Sequence, residues 1–398
     1  MIFPFSLLRI ARGQTSRRGG LLGAVALLLG LLSGCIEDYS PDVPRSKTQF
    51  LVVDGFINTQ GPTTIKLSRS TNLNQNTAPV VETKAQVAIE DATSVRALLT
   101  ETAPGTYVSA SQQLVPGRNY RLTIKTSAGR TYASALTAAK VTPPIDKLSW
   151  KADNAGVDIY VDTHDESGQT GFYRWEYDET WAFTSAFNSE LQYANQVISP
   201  RQENIYSCWD TQSGGVIRIN STTGLSQDVV RGFPMAQVPR NSIKLRLRYS
   251  ILAHQYALSQ EEYQYWETLR KNTETLGTPF DPLPSQVQGN VHCLQDATEP
   301  VLGFVGVTSM TEKRLFISRP ELPDEWRFLD TNYLACTAPD TLWIFRGDYT
   351  IAEFFGNASY RIPIAPLIHN GRVDAYTAYT PECVDCRVHG TNVKPSFW

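Results

Sequence analysis

The sequence has 398 residues, six cysteines and a formal net charge of −3, and 41% of its residues are hydrophobic. A chain of this length is expected to form two domains, each with a buried core. Its mildly acidic balance argues against a nucleic-acid partner, which requires a basic surface.

The first 34 residues have the pattern of a bacterial lipoprotein signal peptide. Residues 9–18 contain four arginines, and residues 21–32 are then entirely apolar or glycine. A bilayer core requires about twenty helical residues, so this run is too short for a membrane-spanning helix. It ends in Leu-Ser-Gly-Cys, which resembles the lipobox of bacterial lipoproteins. We therefore expect cleavage before Cys35 and a thioether between its sulfur and diacylglycerol, which leaves 364 residues with a formal charge of −7.

Residues 35–47 are expected to form a polar, lipidated tether. Glu37 and Asp38 follow the cysteine directly and resemble the acidic export signal of surface-exposed Bacteroidota lipoproteins. Acidic residues here are equally compatible with an ordinary tether on a lipoprotein that faces the periplasm. The polar, proline-containing stretch 40–46 is suited to hold a folded part away from the membrane. These features predict a lipid-anchored protein of the cell outer membrane, exposed at the surface.

Residues 48–142 are predicted to form a β-sandwich of the immunoglobulin or transthyretin-like kind. Short runs of alternating apolar residues recur about every ten residues, with Pro-Gly and Ala-Gly turn formers between them. The predicted strands cover residues 50–53, 64–67, 85–89, 95–99, 106–108, 120–124 and 131–134. Pro143 and Pro144 then favour an extended linker.

Residues 145–398 are predicted to form a larger β-rich domain. Residues 157–161 alternate apolar and polar side chains, and the stretch 171–183 is rich in aromatic residues. Within that stretch the aromatic side chains of residues 173, 175 and 177 share one strand face, and the charged residues share the other. The opposite charges of Arg174 and Glu176 suit an exposed sheet face. Trp175 and Trp181 are either core residues between two sheets or aromatic platforms that face a ligand.

One prominent helix is predicted near residues 259–276. Ser259 and Glu262 have the spacing of a capping box, aromatic and apolar residues follow at helical spacing, and Gly277 is placed to end the helix. Further strands are predicted over residues 244–252, 301–307 and 314–317. The predicted fold class is therefore mainly β, with an N-terminal sandwich followed by a larger β-rich domain with one helix.

Five cysteines remain after processing, and we expect disulfides among them, because thiols beyond the inner membrane are commonly paired. They are Cys208, Cys293, Cys336, Cys383 and Cys386. The odd count leaves one cysteine over, and the sequence does not determine the connectivity. As an alternative, Cys383, Cys386 and His389 have a spacing compatible with part of a zinc site, which would require a fourth ligand. No cofactor is expected.

The sequence lacks common catalytic motifs. It contains no Gly-x-Ser-x-Gly elbow, no His-Glu-x-x-His helix and no phosphate-binding glycine-rich loop. His164 forms the densest titratable cluster, together with Asp162, Asp165 and Glu166. Such a cluster would suit calcium binding or acid–base catalysis, but the Ser-Gly pair that follows favours a solvated acidic turn.

Longer motifs resemble those of domain-of-unknown-function family 4249, a family of Bacteroidota outer-membrane lipoproteins. They are the tail PECVDCRVHGTNVKPSFW at 381–398, YRWEYDETW at 173–181, FDPLPSQVQGNV at 280–291 and EPVLGFVGVTSMTEKRLFI at 299–317. His389-Gly390 departs from the paired glycine turn expected in that tail. Asp340-Thr341-Leu342 is similar to the short O-glycosylation motif of this phylum, which makes Thr341 a candidate for the modification.

The resemblance implies a protein encoded beside a TonB-dependent receptor, with an accessory role in uptake. We therefore expect a non-enzymatic lipoprotein that captures a small ligand or caps the barrel of such a transporter. Two alternatives stay open. One is a surface-anchored hydrolase with a dispersed active site around His164 or His254, and the other is an adhesion or structural surface protein.

Overall fold

The N-terminal part consists of short strands joined by tight turns. A computed structural model describes residues 49–71, 79–274, 287–328, 330–347, 349–356 and 360–398. The first strands are β1 (Leu51–Gly55), β2 (Ile57–Asn58), β3 (Gln60–Gly61), β4 (Thr64–Arg69), β5 (Gln86–Asp91), β6 (Val95–Ala103), β7 (Thr106–Ser109), β8 (Gln112–Gln113), β9 (Asn119–Lys125), β10 (Thr131–Ser134) and β11 (Thr137–Ala138). Gly105 closes the β6–β7 turn at φ +71°, a backbone conformation in which an L side chain is strained.

Most of these strands form one curved sheet that a later part of the chain completes. Two later strands, β21 (Val291–Cys293) and β22 (Val301–Leu302), lie at its edges. The order of the sheet is β21-β10-β9-β5-β6-β7-β4-β1-β22. Strand β21 pairs antiparallel with β10, and β22 pairs parallel with β1. Because these two edge strands also contact each other, the sheet rolls around a single core.

Apolar residues that alternate along the strands fill this core. In β9, Tyr120, Leu122 and Ile124 are buried, and the residues between them are more exposed. The same core contains Leu51, Val53, Ile65, Leu67, Val87, Ile89 and Tyr132. Each buried aliphatic side chain contributes about 1.5–3 kcal/mol, and a register shift by one residue would turn a whole strand's apolar side chains to solvent. The alternation therefore fixes the strand register.

Two further sheets form the centre of the second part. Their strands are β12 (Ile145–Ala152), β13 (Gly156–His164), β14 (Phe172–Thr184), β17 (Ser207–Ser213), β18 (Arg218–Ser221), β19 (Val229–Pro239), β20 (Arg248–Ala257) and β24 (Met310–Ser318). One sheet has the order β12-β13-β19 and the other has the order β17-β14-β20-β24, with β18 also paired to β14. Buried residues from both sheets form one hydrophobic core, so the two sheets pack face to face.

Helix α1 (Gln260–Glu274) follows β20 and lies against the outer side of the second of these sheets. The Ser259 hydroxyl accepts a hydrogen bond from the Glu262 backbone N–H at 3.1 Å, which satisfies one donor of the first helical turn. Trp266 on this helix lies 4.3 Å from the guanidinium of Arg174 on β14. The helix therefore covers one end of the outer sheet face.

The remaining strands form smaller sheets and hairpins. They are β15 (Leu191–Ala194), β16 (Val197–Pro200), β23 (Val307–Thr308), β25 (Asp340–Trp343), β26 (Ile362–His369) and β27 (Arg372–Tyr379), with the short helices α2 (Ile351–Phe355) and α3 (Pro381–Val384). Strands β25, β27 and β26 form a three-stranded sheet in that order. Asn370 and Gly371 make its two-residue turn, both at positive φ, which is the geometry that hairpin turns favour.

The predicted fold class, mainly β with one prominent helix, is confirmed, but the N-terminal strands form one rolled sheet where the sequence predicted a sandwich of two sheets. The described residues are mainly β, and α1 is a long helix at the predicted place, although residues 275–286 lie outside the described residues. The domain bounds stay a prediction. The structure adds that residues 291–308, from the predicted second domain, pair with strands of the N-terminal part, and that Gln49–Trp398 form one compact unit.

Two predicted strands have different bounds in the structure. The predicted strand at 244–252 begins only at Arg248, because the Ser242 hydroxyl caps a 3-10 turn over Ile243–Leu245. The predicted strand at 301–307 is two short strands, β22 and β23, that pair with different partners. Within the described ranges, no helix is long and apolar enough to cross a membrane.

Candidate functional site

The predicted lipidation site, Cys35, lies outside the described residues, as do the signal peptide and the tether. Their assignment stays a prediction from the sequence.

The two candidate ligand-facing tryptophans lie in the core. Trp175 is fully buried between the rings of Tyr173 and Phe233, at centroid distances of 5.6 and 4.7 Å. Its indole N–H donates to Gln255 Oε1 at 2.8 Å, which satisfies its one polar group. Trp181 is 8% exposed and belongs to the same core. The ligand-facing alternative is therefore wrong for both side chains, and the core interpretation holds.

Four of the five cysteines form two disulfides. Cys208 bonds to Cys386, and Cys336 bonds to Cys383, while Cys293 is a buried free thiol. The disulfide prediction is thus supported, with Cys293 as the cysteine left over. Because each sulfur of the Cys-x-x-Cys pair is bonded to a distant cysteine, neither is free to ligate zinc. This corrects the alternative of a metal site at Cys383, Cys386 and His389.

The acidic turn after β13 is organised by one carboxylate. Asp165 accepts hydrogen bonds from the backbone N–H groups of Ser167, Gln169 and Thr170, and from the Ser167 and Thr170 hydroxyls, at 2.7–3.1 Å. Burial opposes ionisation of Asp165, but these hydrogen bonds outweigh it and lower its pKa to about 2. The oxygens of Asp165 are thus engaged within the turn, which favours a structural role over calcium binding.

His164 lies beside this turn and is partly exposed. Its Nδ1 is 2.7 Å from Asp146 Oδ2, and its Nε2 is 3.8 Å from Glu166 Oε1. The hydrogen bond and the negative charge of Asp146 raise the pKa of His164. A histidine held between two carboxylates in this way is stabilised as a cation, so it is poorly suited to act as a general base.

Two clefts flank the turn. One has a volume of about 640 Å³ and lies between the turn and residues 222–229. The other has a volume of about 890 Å³ and lies between the turn and residues 138–144, with Pro116, Val141 and Pro143 among its apolar walls. Both volumes are in the range of small-molecule sites.

His254, the second histidine considered for catalysis, lies on the outer face of the sheet that contains β14 and β20. Its Nε2 is 3.1 Å from Asp178 Oδ2 and its Nδ1 is 2.9 Å from Glu312 Oε1. Nε2 is hydrogen-bonded to Asp178, and Nδ1 is shielded from solvent and makes no hydrogen bond with the described residues, so neither ring nitrogen is paired with a serine hydroxyl. The geometry therefore does not favour a hydrolase at His254.

A buried carboxyl that the sequence pattern did not reveal lies under helix α1. The predicted capping-box partner Glu262 turns inward and is 4% exposed, and its Oε1 accepts from Trp266 Nε1 at 3.4 Å. Burial raises its pKa to about 7, and the charges of Arg174 and Lys140 oppose that rise. Arg174, predicted to be on an exposed sheet face, is itself buried between the rings of Tyr256 and Trp266.

The three-stranded C-terminal sheet exposes an apolar patch, here called the aromatic patch. It consists of Trp343, Phe345, Leu367 and Ile368, which are 39%, 77%, 38% and 64% exposed. Trp343 and Leu367 both pair with Ala375 of the central strand β27, so they lie in one row across the sheet. The Arg346 guanidinium lies 4.9 Å from the Trp343 ring.

The remaining residues of this patch lie at the neighbouring end of the sheet. Ile368 pairs with Val373, and Phe345 lies in the turn after β25, in which the Arg346 N–H donates to the Trp343 carbonyl at 3.4 Å. Clustered exposed apolar residues mark interaction surfaces. The candidate glycosylation residue Thr341 lies on β25 of this sheet and is half-buried, and its modification stays a prediction.

These observations define a class of protein: a mainly β chain in which a rolled sheet and a face-to-face pair of sheets are joined, with two disulfides near its C-terminal tail. A family model described as "Domain of unknown function (DUF4249)" matches residues 36–314, and the chain belongs to this family. The resemblance drawn from the sequence motifs is thereby confirmed for the family.

Other comparisons add little. Comparison with curated proteins finds no match. Among solved structures, chitinase ChiA74 from Bacillus thuringiensis is similar at 13% identity, over 49% of this chain and 29% of that one, with a TM-score of 0.14. A similarity this weak carries no argument about fold or activity.

Proposed function

We propose that this protein is a surface-exposed outer-membrane lipoprotein of a Bacteroidota cell, and that it serves a TonB-dependent transporter as a non-enzymatic accessory. In this proposal the lipid on Cys35 holds the folded part at the membrane. The aromatic patch contacts the transporter, where the protein captures a small ligand or caps the barrel. The aromatic patch is the observation that carries the proposal.

The composition of the patch supports a protein partner. Aromatic residues and arginine are enriched where protein interfaces have their strongest contacts, and Lys and Glu are depleted there. Trp343 and Phe345 supply the aromatic rings, and Arg346 stacks on Trp343. Phe345 is 77% exposed, so it has the most apolar surface to bury against a partner and would contribute the largest hydrophobic free energy of the four.

A small hydrophobic core packs beneath the patch. On the opposite face of this sheet, Leu342, Phe354, Phe355 and Ala378 are buried in a small core of their own. Trp343, Leu367 and Ile368 lie on paired strands, so these side chains lose little conformational entropy when a partner binds.

Capture from membranes tests the proposal. The full-length protein with an affinity tag is purified from detergent-solubilised native membranes, and co-purifying proteins are identified by mass spectrometry. We compare wild type with the double variant Phe345→Ser/Ile368→Ser and with a matched control, Val95→Ser/Leu98→Ser, which removes two exposed apolar residues from the N-terminal sheet (53% and 71% exposed).

We expect a β-barrel transporter to co-purify with wild type and control. Loss of one anchor side chain at an interface centre costs roughly 2 kcal/mol or more, so recovery with the patch variant is expected to fall at least about tenfold. Recovery of lipid without a barrel partner, or equal recovery with the patch variant, would contradict the proposal. The anchor is tested separately, because Cys35→Ser is expected to release the protein from the membrane fraction.

A further inference from the structure

The larger of the two clefts beside the acidic turn lies where the N-terminal part meets the second part, and it is called the linker cleft below. It has a volume of about 890 Å³. Pro116 and Ala138 of the N-terminal part line it, together with the turn at residues 164–170 and with residues 140–144, which join the two parts. A cleft of this size has room for a small organic molecule.

The surface of the linker cleft is largely apolar and reachable from solvent. Val141 is 45% exposed, and Pro116, Ala138 and Pro144 are exposed as well. All four side chains belong to the lining of the cleft. Apolar surface that leaves water when a ligand binds stabilises the complex. The cleft therefore favours a ligand with an apolar body.

Residues 140–144 are held in place by the second part of the chain. The Thr142 N–H donates to Ser309 Oγ at 2.8 Å. The Pro143 carbonyl accepts from the Gln255 side chain, also at 2.8 Å. Lys140 Nζ donates to two backbone carbonyls of the acidic turn, at 3.1 and 3.3 Å. The cleft is thus formed before a ligand arrives, which avoids the entropic cost of ordering it on binding.

The acidic turn uses many of its hydrogen-bond donors internally. Asp165 accepts from three backbone N–H groups and two hydroxyls of the turn. Lys140 Nζ, the ammonium group in the lining, points at carbonyl oxygens of the same turn. Donors that are already engaged are not available to bind an anionic group of a ligand.

The turn also presents a carboxylate to the cleft. The Glu166 side chain is 92% exposed, and its contact with His164 Nε2 is long, at 3.8 Å. The charge of His164 is balanced by Asp146, which is 2.7 Å from its Nδ1. The charge of Lys140 interacts in turn with that of Asp165. With two basic groups and three carboxylates, one negative charge is left over, and Glu166 carries it at the mouth of the cleft.

These features together restrict the class of ligand. An anion would be repelled by Glu166 and would find donors of the turn already engaged. A neutral apolar molecule would fill the cleft but would leave the charge of Glu166 without a partner. An apolar molecule with an ammonium group satisfies both the apolar walls and the carboxylate, and such complementarity of charge gives specificity.

We propose that the linker cleft binds a small organic cation, with its apolar body against Val141 and the neighbouring prolines and its ammonium group beside Glu166. The inference rests on the ligand-capture role within the proposed function, and it supplies the site and the class of ligand. Binding to the purified protein and capture of a transporter from membranes are separate measurements, so failure of one is distinguishable from failure of the other.

Binding measurements on the purified full chain test the site. The probes are three amines: tryptamine, 2-phenylethylamine and hexylamine. Each is compared with the alcohol and with the carboxylate that have the same apolar body. All are titrated at millimolar concentration and neutral pH, and binding is followed by saturation-transfer NMR and by calorimetry.

Two variants address the two parts of the proposal, each with a matched control. Val141→Arg fills the cleft and adds a positive charge. Its control, Val95→Arg, makes the same change at a valine of similar exposure on the N-terminal sheet (45% and 53%). Glu166→Gln removes the charge and keeps the shape of the side chain. Its control is Glu325→Gln, an exposed glutamate that lines a different cleft.

We expect at least one amine to bind, and to bind about threefold or more tightly than its alcohol, as an ion pair at an exposed site allows. Val141→Arg is expected to weaken binding of the amine by about tenfold or more, because its side chain occupies the cleft and repels the ammonium group. Glu166→Gln is expected to lower the preference for the amine over the alcohol at least about twofold, while the alcohol binds as before. Both controls should behave as wild type does.

Four results would each overturn the inference. They are no binding by any of the three amines, tighter binding of the carboxylates than of the amines, binding of the amine by Val141→Arg within about twofold of wild type, and an unchanged preference for the amine in Glu166→Gln. If Val141→Arg fails to fold, Glu166→Gln decides alone, because it replaces an exposed carboxylate by an amide of the same shape.

Discussion

The buried Glu262 makes the stability of this protein depend on pH. The pKa of a glutamate in an unfolded chain is close to 4.5, and burial raises that of Glu262 to about 7 in the fold. Between these two values the folded state holds a proton that the unfolded state has lost, so stability falls as the pH rises. The stability that the protonated carboxyl gives the folded state is fully present below pH 4.5 and is lost progressively as the pH rises to about 7. At 1.36 kcal/mol per pH unit the loss amounts to about 3 kcal/mol.

Glu262→Gln removes this loss while it keeps the shape of the side chain and an oxygen that accepts from Trp266. We define the stability difference as the free energy of unfolding of the variant minus that of wild type. We expect this difference to be about 3 kcal/mol larger at pH 8 than at pH 4.5, because only wild type loses stability over this range. Urea unfolding at both pH values measures it, and contributions of other carboxyl groups cancel in the comparison. The matched control is Glu261→Gln, an exposed neighbour in the same helical turn. A difference between Glu262→Gln and wild type that is the same at both pH values would refute the reasoning.

Three further substitutions test the packing, each by thermal and urea unfolding against wild type. A Cβ at Gly306 would lie 2.3 Å from Glu262 Oε2, so Gly306→Ala is expected to destabilise by roughly 1–3 kcal/mol; unchanged stability would mean that Glu262 can move aside. Gln255→Leu leaves the buried Trp175 N–H without its acceptor and should cost roughly 1–3 kcal/mol, and a neutral result would show that water replaces the amide. Gln196 has φ +63° in the β15–β16 turn, so Gln196→Gly should stabilise by about 1 kcal/mol, and a loss of stability would speak against strain there.

Local patterns predicted the strands well where each has one buried face. Thr131–Ser134 has the predicted bounds, and β4, β7 and β9 lie within two residues of theirs, because alternation and turn residues act over a few neighbours. The stripe of aromatic residues on β14 likewise faces the core as the period of two requires. Such signals need no knowledge of the rest of the chain.

Features that depend on distant contacts were not predictable in this way. Alternation along β14 puts Arg174 on the face opposite to the core, which the sequence alone predicts to be exposed. It is buried because helix α1 packs over that face. The pairing of Leu51 with Val301 closes the N-terminal sheet, and nothing near either residue indicates it.

The contact between Tyr333 and His389 shows the same limit. The two residues have no characteristic spacing, and their rings meet where two disulfides tie the neighbouring segments into the fold. The sequence did show that the cysteines would pair, although not with which partners. The Asn370-Gly371 turn is a hairpin signal that the sequence contains, and with it β26 and β27 could have been found.

If the chain is exported as proposed, the cross-linking of its tail has a consequence for how it matures. Both bridges end in the short segment from Cys383 to Cys386, while their other halves, Cys208 and Cys336, are made much earlier. Neither native bond can close until that late segment has left the translocation channel, and its two neighbouring thiols can first oxidise with each other. An envelope that lacks a disulfide isomerase should therefore accumulate a wrongly bonded form of this protein.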